Sequence, residues 1–217
     1  MNQCEEVTAA VVLAGGWNRR FGALKSFINI EGTPIIARDI ALLRELFDEL
    51  FISSNDPEPY FNLVGLNGAV LVGDVLASRG PMSGIYSALI NAKGPGIFVV
   101  ACDMPFLNAG VITFIRKRHL DYCREHGPCD AVVPVFNRQP QPLLGIYSRT
   151  LLPYMEDCIV NDKTSMVPFL REVRTCFINE SDLRAIDPEG RSFININTEG
   201  DYEALKASEK LEVKSKK

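Results

Sequence analysis

The sequence predicts an α/β fold, a mainly parallel sheet with helices on both faces. Three observations carry this reading. Short apolar, β-rich runs recur along the chain, and several are continuous rather than alternating, as strands covered on both sides should be. Between them lie longer segments with helical spacing of apolar residues, and such strand–helix alternation gives parallel strands joined by crossovers. The length, 217 residues, sits near the upper end for one compact domain and suffices to bury roughly 70% of the unfolded surface without disulfides or a structural metal.

The elements follow in order. Val7–Leu13 is a continuous apolar strand, followed by a glycine-rich stretch. Pro34–Phe47 carries Ile35, Ile36, Ile40, Leu43 and Phe47 at helical spacing, and Pro34 stands where a helix begins, a position that has no use for an amide proton. Leu50–Ser53 and Ala69–Val72 read as strands. Pro81–Ala92 repeats the proline-led helix with Met82, Ile85, Ala88 and Leu89. Ile97–Ala101 is a strand, and Ala109–Arg124 a helix carrying Val111, Ile112, Phe114, Ile115 and Leu120. Ala131–Val135, Leu143–Tyr147 and Thr175–Ile178 complete the strands. No internal repeat or Pro/Ser linker divides the chain, so residues 1–206 read as one domain. Residues 207–217, rich in Lys and Glu, read as a solvated charged tail.

Composition excludes several classes. A net charge of −4 with interspersed acids and bases argues against nucleic acid as the main partner. Cys4, Cys102, Cys123, Cys129, Cys158 and Cys176 form no CxxC pair and match no zinc spacing, so they read as scattered thiols of a reducing compartment. The polar start and the lack of any apolar run near the ~20 residues of a span give the expectation of a cytoplasmic protein with no membrane partner. The two histidines, His119 and His126, read as a solvated helix face rather than general bases.

The most informative stretch is Leu13-Ala14-Gly15-Gly16-Trp17-Asn18-Arg19-Arg20-Phe21-Gly22-Ala23-Leu24-Lys25. A strand ends, glycines let backbone amides approach phosphate oxygens, and Arg20 and Lys25 neutralise a polyphosphate. Neither GxxxxGK[ST] nor GxGxxG is present. The plain alternative is a tight turn flanked by surface arginines. Asp103 follows the strand Ile97–Ala101, at the end where ligands collect in open α/β sheets, and a carboxylate there suits a Mg²⁺ ion bridging phosphates; a helix cap is the alternative. Gly80 and Gly84 flank a helix start, which favours anions. Asp74 sits in the loop after Ala69–Val72, where a solvated acid is the alternative. Asn195 and Asn197 alternate with Ile194 and Ile196, placing both amides on one side of an extended segment; an Asx turn before a helix from Glu199 is the alternative.

The pattern LAGG-x-x-x-R-x-G-x-x-K resembles the signature loop of nucleoside-triphosphate transferases, most closely the MobA family of molybdenum cofactor guanylyltransferases. Ser53-Ser54-Asn55, Gly73-Asp74, Gly80-Pro81-Met82-Ser83-Gly84, Cys102-Asp103-Met104-Pro105 and Asn195-Ile196-Asn197-Thr198 match in the same order, and Gln141-Pro142-Leu143 stands where the family has a pterin-side segment. The resemblance spans residues 7–206. It implies a Rossmann-like three-layer α/β/α sandwich of the nucleotide-diphospho-sugar transferase type and transfer of GMP from GTP to the phosphate of molybdopterin, with pyrophosphate released. It gives Leu13, Ala14, Gly15, Gly16, Arg20, Lys25, Asn55, Asp74, Gly80 and Gly84 to the nucleotide. Arg20, Lys25 and Asp103 become catalytic, with Asp103 as Mg²⁺ ligand, and Arg138, Gln141, Asn195 and Asn197 fall to the acceptor. Transient contact with cofactor-insertion proteins is a further implication. One departure is Leu24, where most such loops place an acid before the lysine. A cytidylyltransferase on the same cofactor, a guanylyltransferase on phospholactate and a GTP-binding module without catalysis are the competing readings; Gly15-Gly16, where many cytidylyl enzymes have Ala-Gly, favours guanine.

Overall fold

The computed structural model describes residues 5–14, 24–63, 68–76, 80–198 and 200–203. Its centre is a sheet in the order β10-β7-β9-β6-β1-β4-β5. The strands are β1 (Ala9–Leu13), β4 (Glu49–Ser53), β5 (Val70–Val72), β6 (Gly96–Ala101), β7 (Ala131–Phe136), β9 (Leu144–Ser148) and β10 (Thr175–Ile178), which places a strand at each of the seven predicted runs. Two short ribbons complete the set: β2 (Asn29–Ile30) pairs β3 (Thr33–Pro34), and β8 (Gln139–Pro140) folds back on β7.

Alternate residues of β1 face different cores. Ala10 and Val12 pack under α1 (Ile35–Leu46), through Ile36, Ile40 and Leu43, and with Val111, Ile112 and Ile115 of a later helix. Ala9, Val11 and Leu13 face α2 (Pro81–Asn91), through Met82, Ile85, Ala88 and Leu89. The same side is filled by Met155 and Ile159 of α4 (Leu152–Val160) and by Phe169 and Leu170 of α5 (Met166–Glu172). A strand buried on both faces has no polar positions to spare, which is why β1 reads AAVVL.

The helix ends obey local chemistry. α3 (Ala109–His126) starts where Asn108 accepts from the Gly110 amide at 2.7 Å and stops at Gly127, whose φ of 82° is open to glycine without strain. α2 starts after Gly80, at φ 115°, with Pro81 at its first position. A short helix, α6 (Glu180–Arg184), contributes Leu183 to the α1 side.

β1 pairs β4 on one side and β6 on the other, both in parallel, and β4 pairs β5 in parallel. The chain therefore runs outward from β1 to β5 and then returns to β1's other flank, leaving a crevice at the carboxyl ends where α1 and α2 part to opposite faces. β9 is antiparallel to both β6 and β7. Residues 137–143 cannot hold the dozen or so residues that a parallel crossover requires, so the chain turns back beside β7.

Four cysteines, Cys102, Cys129, Cys158 and Cys176, are free thiols, whereas Cys123 is disulfide-bonded, a departure from six scattered thiols; Cys4 lies outside the described residues. The predicted tail 207–217 lies outside them too. Among the described residues, no helix is long and apolar enough to cross a membrane.

Candidate functional site

At the carboxyl ends of β1, β4 and β6 a cavity of about 370 Å³ opens, lined by Leu13, Lys25, Ser53, Ser54, Asn55, Asp74, Gly80, Pro81, Gly84, Ala101, Cys102, Asp103 and Leu143. Strand ends supply Leu13, Ser53 and Ala101; the loops beyond them supply the charge.

Lys25 is the hub. Its Nζ donates to Asp103 Oδ2 at 3.2 Å and to Asn197 Oδ1 at 2.8 Å, joining segments 78 and 172 residues away. The Lys25 and Asp103 side chains are 19% and 20% exposed, so the pair is partly shielded yet open to a ligand. Lys25 begins a short 3₁₀ turn, Lys25–Phe27, after extended Leu24, whose side chain packs against the α1-side core. An apolar residue there anchors the backbone that aims the lysine, a physical account of why leucine stands before it.

Tyr60, which the sequence did not single out, holds both flanks of this segment. Fully buried, it donates its hydroxyl proton to the Ala14 carbonyl at 3.0 Å; its oxygen then accepts from Ser26 at 2.8 Å. Ala14 precedes and Lys25–Ser26 follow the glycine-rich stretch, so one hydroxyl ties the two ends together. Burial is the chief cause that pushes the phenol up to about 12, keeping it a neutral donor. An aromatic in a loop carries no sequence signal of such a role.

Asp103 is placed by its backbone: its carbonyl accepts from the Ile196 amide at 2.9 Å, and Ile196 is buried beside Ile28, Ile30 and Ile35. That contact brings Asn197 to Lys25. The residues after Asn197 are held by Asp201, whose carboxylate accepts from the amides of Asn197 and Thr198 at 2.9 and 2.7 Å, while Thr198 Oγ1 accepts from the Asp201 amide. The segment is thus held by a reciprocal Thr–Asp pair. Cys102, buried between Ala101 and Asp103, is a neutral thiol pushed up to about 12, first by burial and then by the neighbouring carboxylates of Asp103 and Asp39.

On the far side of the cavity Asn55 and Asp74 form a closed pair. Asn55 Nδ2 donates to Asp74 Oδ2 at 2.7 Å, and the Asp74 amide donates to Asn55 Oδ1 at 2.9 Å. The loop is pinned to α2 by the Val75 amide donating to Ser87 Oγ at 2.8 Å. Gly84, inside α2, lies so close to β4 and β1 that a Cβ there would stand 2.6 Å from Ser53 Oγ.

The predicted residues therefore divide. Leu13, Lys25, Asn55, Asp74, Gly80, Gly84 and Asp103 line one cavity. Ala14 is buried and linked to it through Ser53 and Tyr60, and Asn197 through Lys25. Gly15, Gly16 and Arg20 lie outside the described residues, as does Trp17. Arg138 and Gln141 are not among the lining residues: Arg138, at φ 61°, is exposed in the β7–β8 turn, and the Gln141 amide donates to the carbonyls of Phe136 and Gln139. Asn195 is exposed. The reading of His119 as solvated is corrected: it is 7% exposed, and burial holds it below the ordinary imidazole value. Helical spacing alone put it with its polar neighbours, but it turns inward toward Cys129 and lines a cavity with Ile146. Ser53, Ser54 and Cys102 were named only within matching segments; the rule that ligands gather at strand ends would have marked them.

Fold and site together define an open α/β transferase architecture, with its polar cleft at the topological switch point and a cation–carboxylate pair at the end of β6. The chain belongs to the MobA-like NTP transferase domain family, whose model matches residues 10–175. It is 32% identical over 195 residues to the molybdenum cofactor guanylyltransferase of Syntrophotalea carbinolica, covering 90% of this chain and 89% of that one. The protein of the same description from Desulfosudis oleivorans is 34% identical over 204 residues, covering 94% and 96%. Among solved structures, molybdopterin-guanine dinucleotide biosynthesis protein A from Archaeoglobus fulgidus superposes with a TM-score of 0.76 at 28% identity, covering 95% of this chain and 99% of that one.

Proposed function

We propose that the protein transfers the guanylyl group of GTP to the terminal phosphate of molybdopterin, giving molybdopterin guanine dinucleotide and pyrophosphate. The observation that carries this is the convergence of Lys25, Asp103 and Asn197 on one edge of the cavity that the Asn55–Asp74 pair borders on the other. One side offers charge for a polyphosphate; the other offers a carboxylate acceptor for the adjacent N–H donors that guanine has and adenine lacks. The attacking phosphate is already anionic, so the reaction needs positioning and charge neutralisation more than a general base. Lys25 Nζ neutralises charge on the α-phosphate and its leaving group. Gly80, just before α2, admits a ligand close to the helix N-terminus. Gly15, Gly16 and Arg20 belong to the polyphosphate side by their place in sequence.

The residues fit a hard divalent cation. Asp103 is a partly exposed carboxylate that shares Lys25 with the neutral amide of Asn197, and both offer oxygen donors of the kind Mg²⁺ takes. Asp103 would hold the ion, which when bound would supply Lewis-acid stabilisation of phosphate oxygens. Release of the product to cofactor-insertion proteins in the cytoplasm completes the reading.

The test is pyrophosphate release from GTP and from CTP, with and without molybdopterin, in magnesium and in chelator. Release that needs GTP, molybdopterin and Mg²⁺ together is the expected result. Preference for CTP, or GTP binding without release, defeats it.

A further inference from the structure

A second cavity, about 290 Å³, lies at the opposite end of the sheet, lined by Glu5, Val7, Pro95, Gly96, His119, Pro128, Cys129, Ile146, Ser148, Thr150 and Arg174. Gly96 opens β6, Val7 leads into β1 and Cys129 leads into β7, so this is the amino end of the parallel strands, away from the nucleotide cleft. Next to it three soft donors converge. His119 and Cys123 lie one turn apart on the same face of α3, and Cys129 follows the turn at Gly127 that ends the helix. A ring nitrogen of His119 and the sulfurs of Cys123 and Cys129 all lie within 4.8 Å of one another. Ligands on one tetrahedral zinc ion sit about 3.8 Å apart when bonds are near 2.3 Å, so a small closure brings these atoms onto one ion.

We propose that His119, Cys123 and Cys129 form a redox-gated Zn²⁺ site, with the fourth position filled from the cavity that His119 and Cys129 line. The donor set, one imidazole and two thiolates, selects zinc over the hard cation of the nucleotide cleft. The gate is covalent. Cys123 is disulfide-bonded here, and its sulfur becomes a ligand only after reduction. A protein or small-molecule dithiol supplies two electrons and two protons; the S–S bond opens to two thiols and the dithiol leaves as its own disulfide. Zn²⁺ then displaces one proton each from the Cys123 and Cys129 sulfurs, which pass to solvent, while His119 binds through a neutral nitrogen.

Burial already favours that neutral imidazole, holding His119 below its ordinary value. It also pushes the metal-free Cys129 thiol up to about 12, with Cys176 adding to the effect, so the sulfur stays protonated until a cation compensates the thiolate. The spacing, His-x₃-Cys-x₅-Cys, matches no common zinc pattern, and only the turn between α3 and β7 closes it. An ion there bolts the end of α3 to the entry of β7.

The full-length chain, purified with and without a thiol reductant, is loaded with Zn²⁺ or Co²⁺ and freed of excess metal. The reduced chain is expected to retain about one Zn²⁺, and its Co²⁺ form to show thiolate-to-metal charge transfer and the d–d bands of a tetrahedral ion. The oxidised chain should retain none. Cys129→Ser and His119→Ala should each weaken Zn²⁺ binding by more than ~100-fold. Their melting temperature without metal should stay close to that of the metal-free parent, which separates lost ligation from misfolding, and Zn²⁺ should raise the parent's melting temperature alone. Stoichiometric loading of the oxidised chain, no loading of the reduced chain, or undiminished Zn²⁺ affinity in both variants overturns the proposal. None of these readouts depends on the transferase reaction.

Discussion

Lys25 holds two partners at once, and each loss has a different consequence. In Lys25→Ala the Asp103 carboxylate and the Asn197 amide lose their common donor, and under the proposed function the phosphates lose a cation. An electrostatic group of this kind contributes ~2–4 kcal/mol at the transition state, a fall of roughly 30- to 900-fold in kcat/KM. Steady-state pyrophosphate release checks it, and a variant within a few-fold of the parent removes Lys25 from the chemistry. Tyr60 gives a finer test. Tyr60→Phe keeps the ring against Phe27, whose centroid is 5.3 Å away, and removes only the hydroxyl that joins Ala14 to Ser26. The expected stability cost is ~1–2 kcal/mol, typical of a buried hydrogen bond with its partners left unmet. KM for the nucleotide should rise about tenfold, because the two ends of the phosphate-side segment are no longer held together. A stability loss with unchanged KM reduces Tyr60 to a core residue.

At the level of elements, α1 carries an anomaly. Asp39 is 2% exposed on a helix otherwise buried through isoleucines and leucine, and its Oδ2 has no hydrogen-bond partner among the described residues. Burial raises its pKa well above the ordinary carboxylate value; Asp103 adds to the rise and Arg38 opposes it. The sign follows from linkage. A carboxyl with a raised folded-state pKa is bound to its proton more tightly in the folded chain, so its stabilising contribution is complete below the unfolded value of ~4 and is lost as pH climbs through the folded value. The parent should therefore lose stability from about pH 4 upward relative to Asp39→Leu, which fills similar volume without a charge. Near pH 8 the variant should be more stable by ~1–3 kcal/mol, the usual cost of an unmet buried polar group. Urea unfolding at several pH values in magnesium-free buffer measures the difference, and parallel pH profiles for the two proteins contradict it.

For the whole molecule, the antiparallel strand β9 is what lets the sheet extend beyond β6. It fits between β6 and β7 because glycine faces backbone on each side: a Cβ on Gly145 would meet the Val132 carbonyl at 2.5 Å, and one on Gly96 the Tyr147 carbonyl at 2.7 Å. Backbone cannot step aside as a side chain can. Gly145→Ala should cost about 3 kcal/mol by parting β7 from β9. A lower urea midpoint with an unchanged slope is the signature, and a midpoint equal to the parent's means the strands accommodate the methyl group.

Much of this was legible in the sequence. Continuous apolar runs fixed the strands, because residues with a core on both faces leave no polar positions, and proline-led periodic segments marked α1 and α2. Position after a strand marked Asp103, Asp74 and Asn55, since open α/β sheets place ligands there. The direction of β9 is encoded in its short link to β7, which is too short for a parallel crossover. Helices α4 and α5 went unread, lacking the long regular apolar spacing of the others. Tertiary structure alone decided the pairings: that Lys25 meets Asn197 across 172 positions, that Tyr60 ties Ala14 to Ser26, and that His119 turns inward to Cys123 and Cys129. Periodicity records which residues leave water, a property each carries alone. Which buried polar group meets which is set only when separate strands are brought to one edge, and no local pattern encodes that.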